Sequence, residues 1–241
     1  MGGRGASIGS GAGGGDGGKI NLLFGDGSEL SERFRKGMED KLNAEGTKLA
    51  KQVYSEFLPD LKYGGKHGES AYFNPIEGAV FNQKSVARGG ALHPPFETAF
   101  HEFAHAIDFK IGDIYKYRSE ELTGLKKLMK KEYKAYKTKN KFTEDSQVFK
   151  HLTEKYDLKT RGNVSDMLQA VTGVHGPLGA GHGKTYFKKK GNTEVEFFAE
   201  VFASQAANKK SYALIKKIFP NSVKEVEKVA REALKDKSKK Q

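Results

Sequence analysis

His101-Glu102-Phe103-Ala104-His105 is the stretch on which the reading of this chain turns. It lies in a run, residues 96–109, whose apolar positions Phe96, Phe100, Phe103, Ala104 and Ile107 recur at helical spacing. Residues 101 and 105 therefore fall one turn apart on one helix face. Two imidazoles placed that way can hold one zinc ion. The carboxylate beside the first of them can reach a water held by the metal and take its proton, and zinc makes such a water acidic enough to act near neutral pH. Each residue type in the motif has a task that a substitute would not perform.

A catalytic zinc takes a third protein ligand and keeps its fourth position open. The metzincin solution would continue with Gly at 108 and His at 111. Asp108 and Ile111 stand there and exclude it. The other solution takes a Glu from a second helix. Residues 193–207 form one, with Phe197, Phe198, Val201 and Phe202 as its apolar positions, and it carries Glu194, Glu196 and Glu200. Glu196 and Glu200 share a face beside bulky aromatics, where a carboxylate needs a partner. Spacing alone does not choose between them. Asp108, seven residues after His101 and back on nearly the same face, is expected to orient a ligand imidazole. His182, between glycines in the loop Gly176–Gly183, could line the cleft, bind substrate or be a fourth ligand in a resting state, although a lone loop His is more often just solvated. His67, His93, His151 and His175 have no comparable surroundings.

Around this centre the chain reads as mostly helical with one small hairpin. Residues 28–57 carry Leu30, Phe34, Met38 and Leu42, then Leu49, Val53 and Phe57, until Pro59 ends the pattern. Ala71-Tyr72-Phe73 and Ala79-Val80-Phe81 flank Asn74–Gly78 and read as a hairpin. A long helix from about Ser119 buries Leu122, Leu125, Met129, Tyr133 and Tyr136 and turns a lysine-rich face outward. Shorter helices are expected over 164–172, 209–219 and 222–235. Ten of the 29 glycines fall in residues 1–18. Residues 1–27 are accordingly expected to form a flexible Gly-rich segment, ahead of a domain over 28–241.

Composition sets limits. With no cysteine in 241 residues, a disulfide scaffold, a thiol nucleophile, a Cys-ligated zinc and an iron–sulfur cluster are excluded. The formal net charge is +12. That charge would attract phosphates, but the lysines recur on solvent faces of helices and no nucleic-acid motif accompanies them, so a nucleic-acid partner is not expected. No apolar run reaches the length of a membrane span. No secretory signal is visible, which favours a cytoplasmic or virion-associated location.

His101-Glu102-Phe103-Ala104-His105-Ala106-Ile107-Asp108, with Glu194-Val195-Glu196-Phe197-Phe198-Ala199-Glu200-Val201-Phe202 far downstream, resembles the gluzincin zinc peptidases of the anthrax lethal factor type. The chain is also similar to zincin-like domains of phage head proteins and mobile-element toxins. Met1-Gly2-Gly3-Arg4-Gly5-Ala6-Ser7 and Gly181-His182-Gly183-Lys184-Thr185-Tyr186 support that likeness. The resemblance spans about residues 65–220 in order of elements, with two short motifs as close matches, and does not reach the helix 28–57. It implies an α+β, mostly helical zincin-like fold with a small sheet beside the active-site helix. It implies His101, His105 and Glu196 as zinc ligands, Glu102 as general base and Glu200 as an acid supporting a ligand His. It also implies a Tyr that stabilises the oxyanion, for which Tyr186 stands in a similar context at a different spacing. The expected function is a zinc-dependent endopeptidase acting on a protein or peptide substrate, encoded by a phage or mobile element. The substrate would add to the sheet edge near Ala79–Asn82. The alternative is a phage head or toxin-associated module with weak or no proteolysis, whose partners would be other phage structural proteins.

Overall fold

The computed structural model describes residues 19–25, 29–65 and 70–239. The described chain is mostly helical with one two-stranded antiparallel sheet, an α+β class. In chain order the helices are α1 (Glu32–Glu45), α2 (Lys48–Phe57), α3 (Gln83–Arg88), α4 (Glu97–Ile111), α5 (Leu125–Lys139), α6 (Asp145–Lys155), α7 (Leu158–Thr172), α8 (Asn192–Ala207), α9 (Lys209–Ile218) and α10 (Pro220–Ser238). The strands β1 (Tyr72–Asn74) and β2 (Gly78–Val80) lie between α2 and α3. Short 3-10 turns occupy Leu58–Asp60, Arg118–Glu121 and Tyr186–Lys188. No helix of the described residues is long and apolar enough to cross a membrane.

Helix α8 is the axis of the molecule. Every residue from Thr193 to Ala207 is buried, as expected of a helix packed on all sides. It touches α1, α2, α4, α5, α7, α9 and α10, and its most extensive contact is with α4. Alanines at 99 and 104 on α4 and at 199, 203 and 206 on α8 are buried. Phe100, Phe103 and Ile107 on α4 and Phe197, Phe198 and Phe202 on α8 fill the surrounding core. A helix so enclosed has no solvent face for its polar residues, so Glu196, Glu200, Ser204 and Gln205 are all buried.

The expected single helical stretch 28–57 is two helices. Gly46 ends α1, its N–H returning to the Leu42 carbonyl at 2.7 Å. Thr47 then starts α2 by accepting from Ala50 N–H at 3.1 Å. The helix expected from Ser119 begins at Leu125 instead, because residues 118–121 form a 3-10 turn. Helices α3 and α6 are additions to the sequence reading, and α7 starts at 158 rather than 164. Most of the expected flexible segment lies outside the described residues. Residues 20–22, within it, are docked on α1: Asn43 bonds both Ile20 N–H and Ile20 C=O, Glu39 accepts from Leu22 N–H, and Leu22 is buried.

The hairpin pairs Tyr72 with Val80, Phe73 with Ala79 and Asn74 with Gly78. The β2 edge expected to receive substrate is already taken. Ala79 N–H bonds Lys62 C=O, Gly64 N–H bonds Ala79 C=O, and Phe81 N–H bonds Gly65 C=O. Gly78 allows this approach: its φ is +95°, and a Cβ there would sit 2.4 Å from the Lys62 oxygen. Because Ala79 directs its amide groups away from β1, the Phe73–Ala79 pair is a non-hydrogen-bonded one, and Phe73 directs its own N–H and C=O outward. Among the described residues no backbone hydrogen bond is made on the outer side of β1, and β1 borders the cleft described next.

Candidate metal centre

The i, i+4 spacing on each of two packed helices brings four side chains together. His101 and His105 project from α4, and Glu196 and Glu200 from α8. His101 Nε2 lies 3.1 Å from His105 Nε2. It lies 3.5 Å from Glu196 Oε2, and His105 Nε2 lies 3.6 Å from Glu196 Oε1. A tetrahedral ion with bonds of about 2.0–2.1 Å separates its ligand atoms by roughly 3.3 Å. The two imidazoles approach different oxygens of Glu196, but one ligand atom from each of the three side chains lies within 4.8 Å of the other two, so His101, His105 and Glu196 could hold a metal ion. A second observation agrees with this. Glu196 Oε2 is buried without a hydrogen-bond partner, a cost that a cation among these donors would remove.

Glu200 faces the other nitrogen of His101, with Oε1 3.6 Å from Nδ1. It is placed to fix the ring so that Nε2 points at the centre. Burial pushes the Glu200 carboxyl well above its ordinary range against the pull of His101. Burial lowers the His101 imidazole, but Glu200, Glu196 and Glu102 outweigh it and raise the ring well above the ordinary 6.5. His105 is dominated by burial and falls to about 4, so it is neutral near pH 7 with a lone pair to offer. Burial also raises Glu196, but His105, His101 and His182 outweigh it and hold that carboxyl well below the ordinary range. The acid at the centre is ionised in the metal-free chain, as a metal ligand must be, whereas His101 would give up a proton on binding a cation.

Beside these groups lies a cleft of about 200 Å³. Glu102 lines it, 6% exposed. Burial raises its carboxyl to about 7, with His101 pulling the other way. Tyr186 reaches the centre despite its unusual spacing: its hydroxyl donates to Glu196 Oε1 at 2.6 Å. The loop after α7 delivers His182, whose ring stacks on Tyr186 at 4.1 Å between centroids. His182 Nδ1 lies 3.0 Å from Asp166 Oδ1 and its Nε2 3.7 Å from Glu196 Oε1. Burial lowers this imidazole, but Asp166 and Glu196 outweigh it and raise it.

Asp108 does not orient a ligand imidazole. Both of its oxygens are taken by Ser119, Oδ1 accepting from the backbone N–H at 2.8 Å and Oδ2 from the hydroxyl at 2.5 Å. Seven residues fall about 20° short of two helical turns, and the Asp108 carboxyl meets the segment after α4. Its effect on the site is indirect. It pins the turn after α4, and so places Tyr117 over His105, with 6.3 Å between ring centroids.

Tyr117, a cleft residue, and Asp166, which holds His182, are site residues that the sequence reading missed. Tyr117 lines the cleft, and burial raises its hydroxyl to about 12. Neither residue belongs to a repeating pattern, and Asp166 becomes visible only through the His182 that it holds. Among the other histidines, His93 lies 3.2 Å from Glu97 and His151 packs on Phe142, both apart from the cleft. Comparison with protein-family models, with curated proteins and with solved structures finds no match to this chain.

Proposed function

We propose that the protein is a gluzincin-type zinc peptidase, with His101, His105 and Glu196 as the metal ligands. The observation that carries this reading is the approach of two imidazole Nε2 atoms, 3.1 Å apart, to the two oxygens of Glu196, at 3.5 Å from Oε2 and 3.6 Å from Oε1, with Glu102 beside them in an open cleft. Two imidazoles and one carboxylate suit zinc, and a set of three leaves a coordination position free for chemistry. Zinc, when bound, supplies a Lewis acid that polarises a carbonyl and acidifies a water.

The remaining work falls to the chain. Glu102 accepts the proton of the attacking water on a carboxylate oxygen and passes it to the departing amine nitrogen. In the metal-free chain burial raises this carboxyl to about 7; a zinc ion beside it would lower that value and favour the carboxylate, the form that takes the proton. The negative charge that develops on the carbonyl oxygen needs donors placed in advance. His182 meets that need: Asp166 holds its Nδ1 and favours the protonated ring, so Nε2–H is available on the cleft side. The Tyr186 hydroxyl lies in the same place and keeps Glu196 oriented. A peptide bond would arrive along β1, where Phe73 directs its N–H and C=O away from β2 and no described residue pairs with them.

The test is hydrolysis of an unstructured protein such as casein by zinc-loaded protein, with and without a chelator. Turnover should vanish with chelator and return with zinc. Glu102→Gln, nearly isosteric but unable to accept the proton, should keep its zinc and lose at least about 100-fold in rate. Undiminished turnover in that variant would remove Glu102 from the mechanism.

A further inference from the structure

The cleft does not end at the metal centre. Phe73 forms one of its walls and also one wall of a second depression, about 420 Å³, between the hairpin and the C-terminal end of α4. That groove is lined on its apolar side by Phe73, Pro75, Ala106, Phe109, Ile114 and Tyr115. Its surroundings hold the three most exposed large apolar side chains among the described residues. Ile114 is 83% exposed and Tyr115 88%, and Ile76, next to Pro75 in the hairpin turn, is 86% exposed. Apolar side chains so exposed around a groove mark a contact surface rather than random surface composition. The backbone agrees: Tyr115 is held at φ +62°, a conformation unfavourable for a residue with a Cβ, in a loop that presents its ring to solvent.

The two depressions lie along one track. Ala71 and Tyr72 border the metal centre, Phe73 is common to both, and Pro75 borders the groove. An extended chain paired with Phe73 would advance about 3.3 Å per residue. Its side chains two to four residues from the bond at the metal centre would then meet the groove, by roughly the distance from Tyr72 to Pro75.

We infer that the substrate is an extended polypeptide that places a large apolar side chain, of the Leu or Phe class, in the groove formed by Phe73, Phe109, Ile114 and Tyr115, two to four residues from the scissile bond. This inference rests on the peptidase reading for the word substrate; the binding it describes can be measured without cleavage. The groove selects by burial. An aliphatic or aromatic side chain leaving water there gains free energy that Gly or Ser does not, and a partly open groove of this kind discriminates by about tenfold.

The probe is a set of fluorescent ten-residue peptides of Gly, Ser and Ala in which a single Leu is moved position by position. Binding is read by anisotropy on zinc-loaded Glu102→Gln protein. One position of Leu should tighten binding about tenfold over the parent peptide. In the double variant Ile114→Ser/Tyr115→Asn that gain should fall below about twofold; both side chains are exposed, and Asn tolerates the left-handed backbone at 115. Absence of a favoured position, or a gain that survives in the double variant, would overturn the inference. Cleavage of the same peptides by the wild-type protein is read separately. A favoured position without any cleavage supports the groove and overturns the peptidase reading; cleavage without a favoured position does the reverse.

Discussion

Glu196 and Glu200 differ by one helical turn, and their tasks are separated by the imidazole nitrogen that each one meets. Glu196 faces Nε2 of both histidines, whereas Glu200 faces only Nδ1 of His101, behind the ring. A direct ligand lost should cost more affinity than a partner that orients a ligand, for which roughly 10–100-fold is typical. Glu196→Ala should therefore weaken zinc binding beyond that range and Glu200→Ala within it, when both are titrated against the same competing chelator. A larger loss in Glu200→Ala would move the ligand to residue 200. At this scale the sequence was informative where chemistry demands a spacing. His101, Glu102 and His105 are fixed by the helical repeat, and Glu196 and Glu200 by a second i, i+4 pair. Tyr117 was not legible, because what places it is a hydrogen-bonded turn held by Asp108, and no residue pattern encodes that turn.

Helix α4 ends near a turn that Asp108 holds through Ser119. Burial raises the Asp108 carboxyl to about 7 from an ordinary 3.8, against the two hydrogen bonds of Ser119. A carboxyl whose folded value lies above its unfolded value binds its proton more tightly when folded. Its contribution to stability is complete below about pH 4 and is lost as pH rises toward and through 7. Asp108→Asn keeps an acceptor for the Ser119 N–H and cannot ionise. Metal-free wild-type protein should therefore lose more stability between pH 5 and pH 8 than metal-free Asp108→Asn does, by on the order of a few kcal/mol. Urea midpoints at the two pH values measure it, and parallel changes in the two proteins would mean that Asp108 stays ionised when folded. Elements were legible where apolar residues repeat, as in α4, α8 and the hairpin. Helix α6 was missed because it buries only Val148 and Leu152, too short a stripe to stand out. Helix α7 starts at Leu158, six residues before the expected 164, and carries Gly162 in its interior. The glycine's place in mid-helix follows from the Leu92 carbonyl, which would lie 3.1 Å from a Cβ there.

Across the whole molecule the charges are sorted in a way that composition conceals. Glu97, Glu102, Asp108, Glu132, Glu194, Glu196 and Glu200 are all buried, so the surface is more basic than the formal +12. One interior acid is structural: Glu132 on α5 caps α10, accepting from Asn221 N–H, Ser222 N–H and the Ser222 hydroxyl. Glu102, Glu196 and Glu200 gather where α4 meets α8. A cation at that seam ties the two central helices together, so it should stabilise the entire fold. Zinc at about 100 times its dissociation constant should add roughly 2.7 kcal/mol, which for a chain of this size raises Tm by about 5–10 °C. Glu102→Gln should keep that rise. A rise of the same size in His105→Ala would place the stabilising ion elsewhere.

The most direct measurement is the zinc bound per chain after dialysis against a limiting zinc buffer, by elemental analysis of wild type and His105→Ala side by side. One zinc per wild-type chain and almost none in the variant are expected, since the loss of His105 leaves two donors where a stable site takes at least three. Zinc absent from the wild type, or equal occupancy in the two proteins, would contradict a metal centre built from His101, His105 and Glu196.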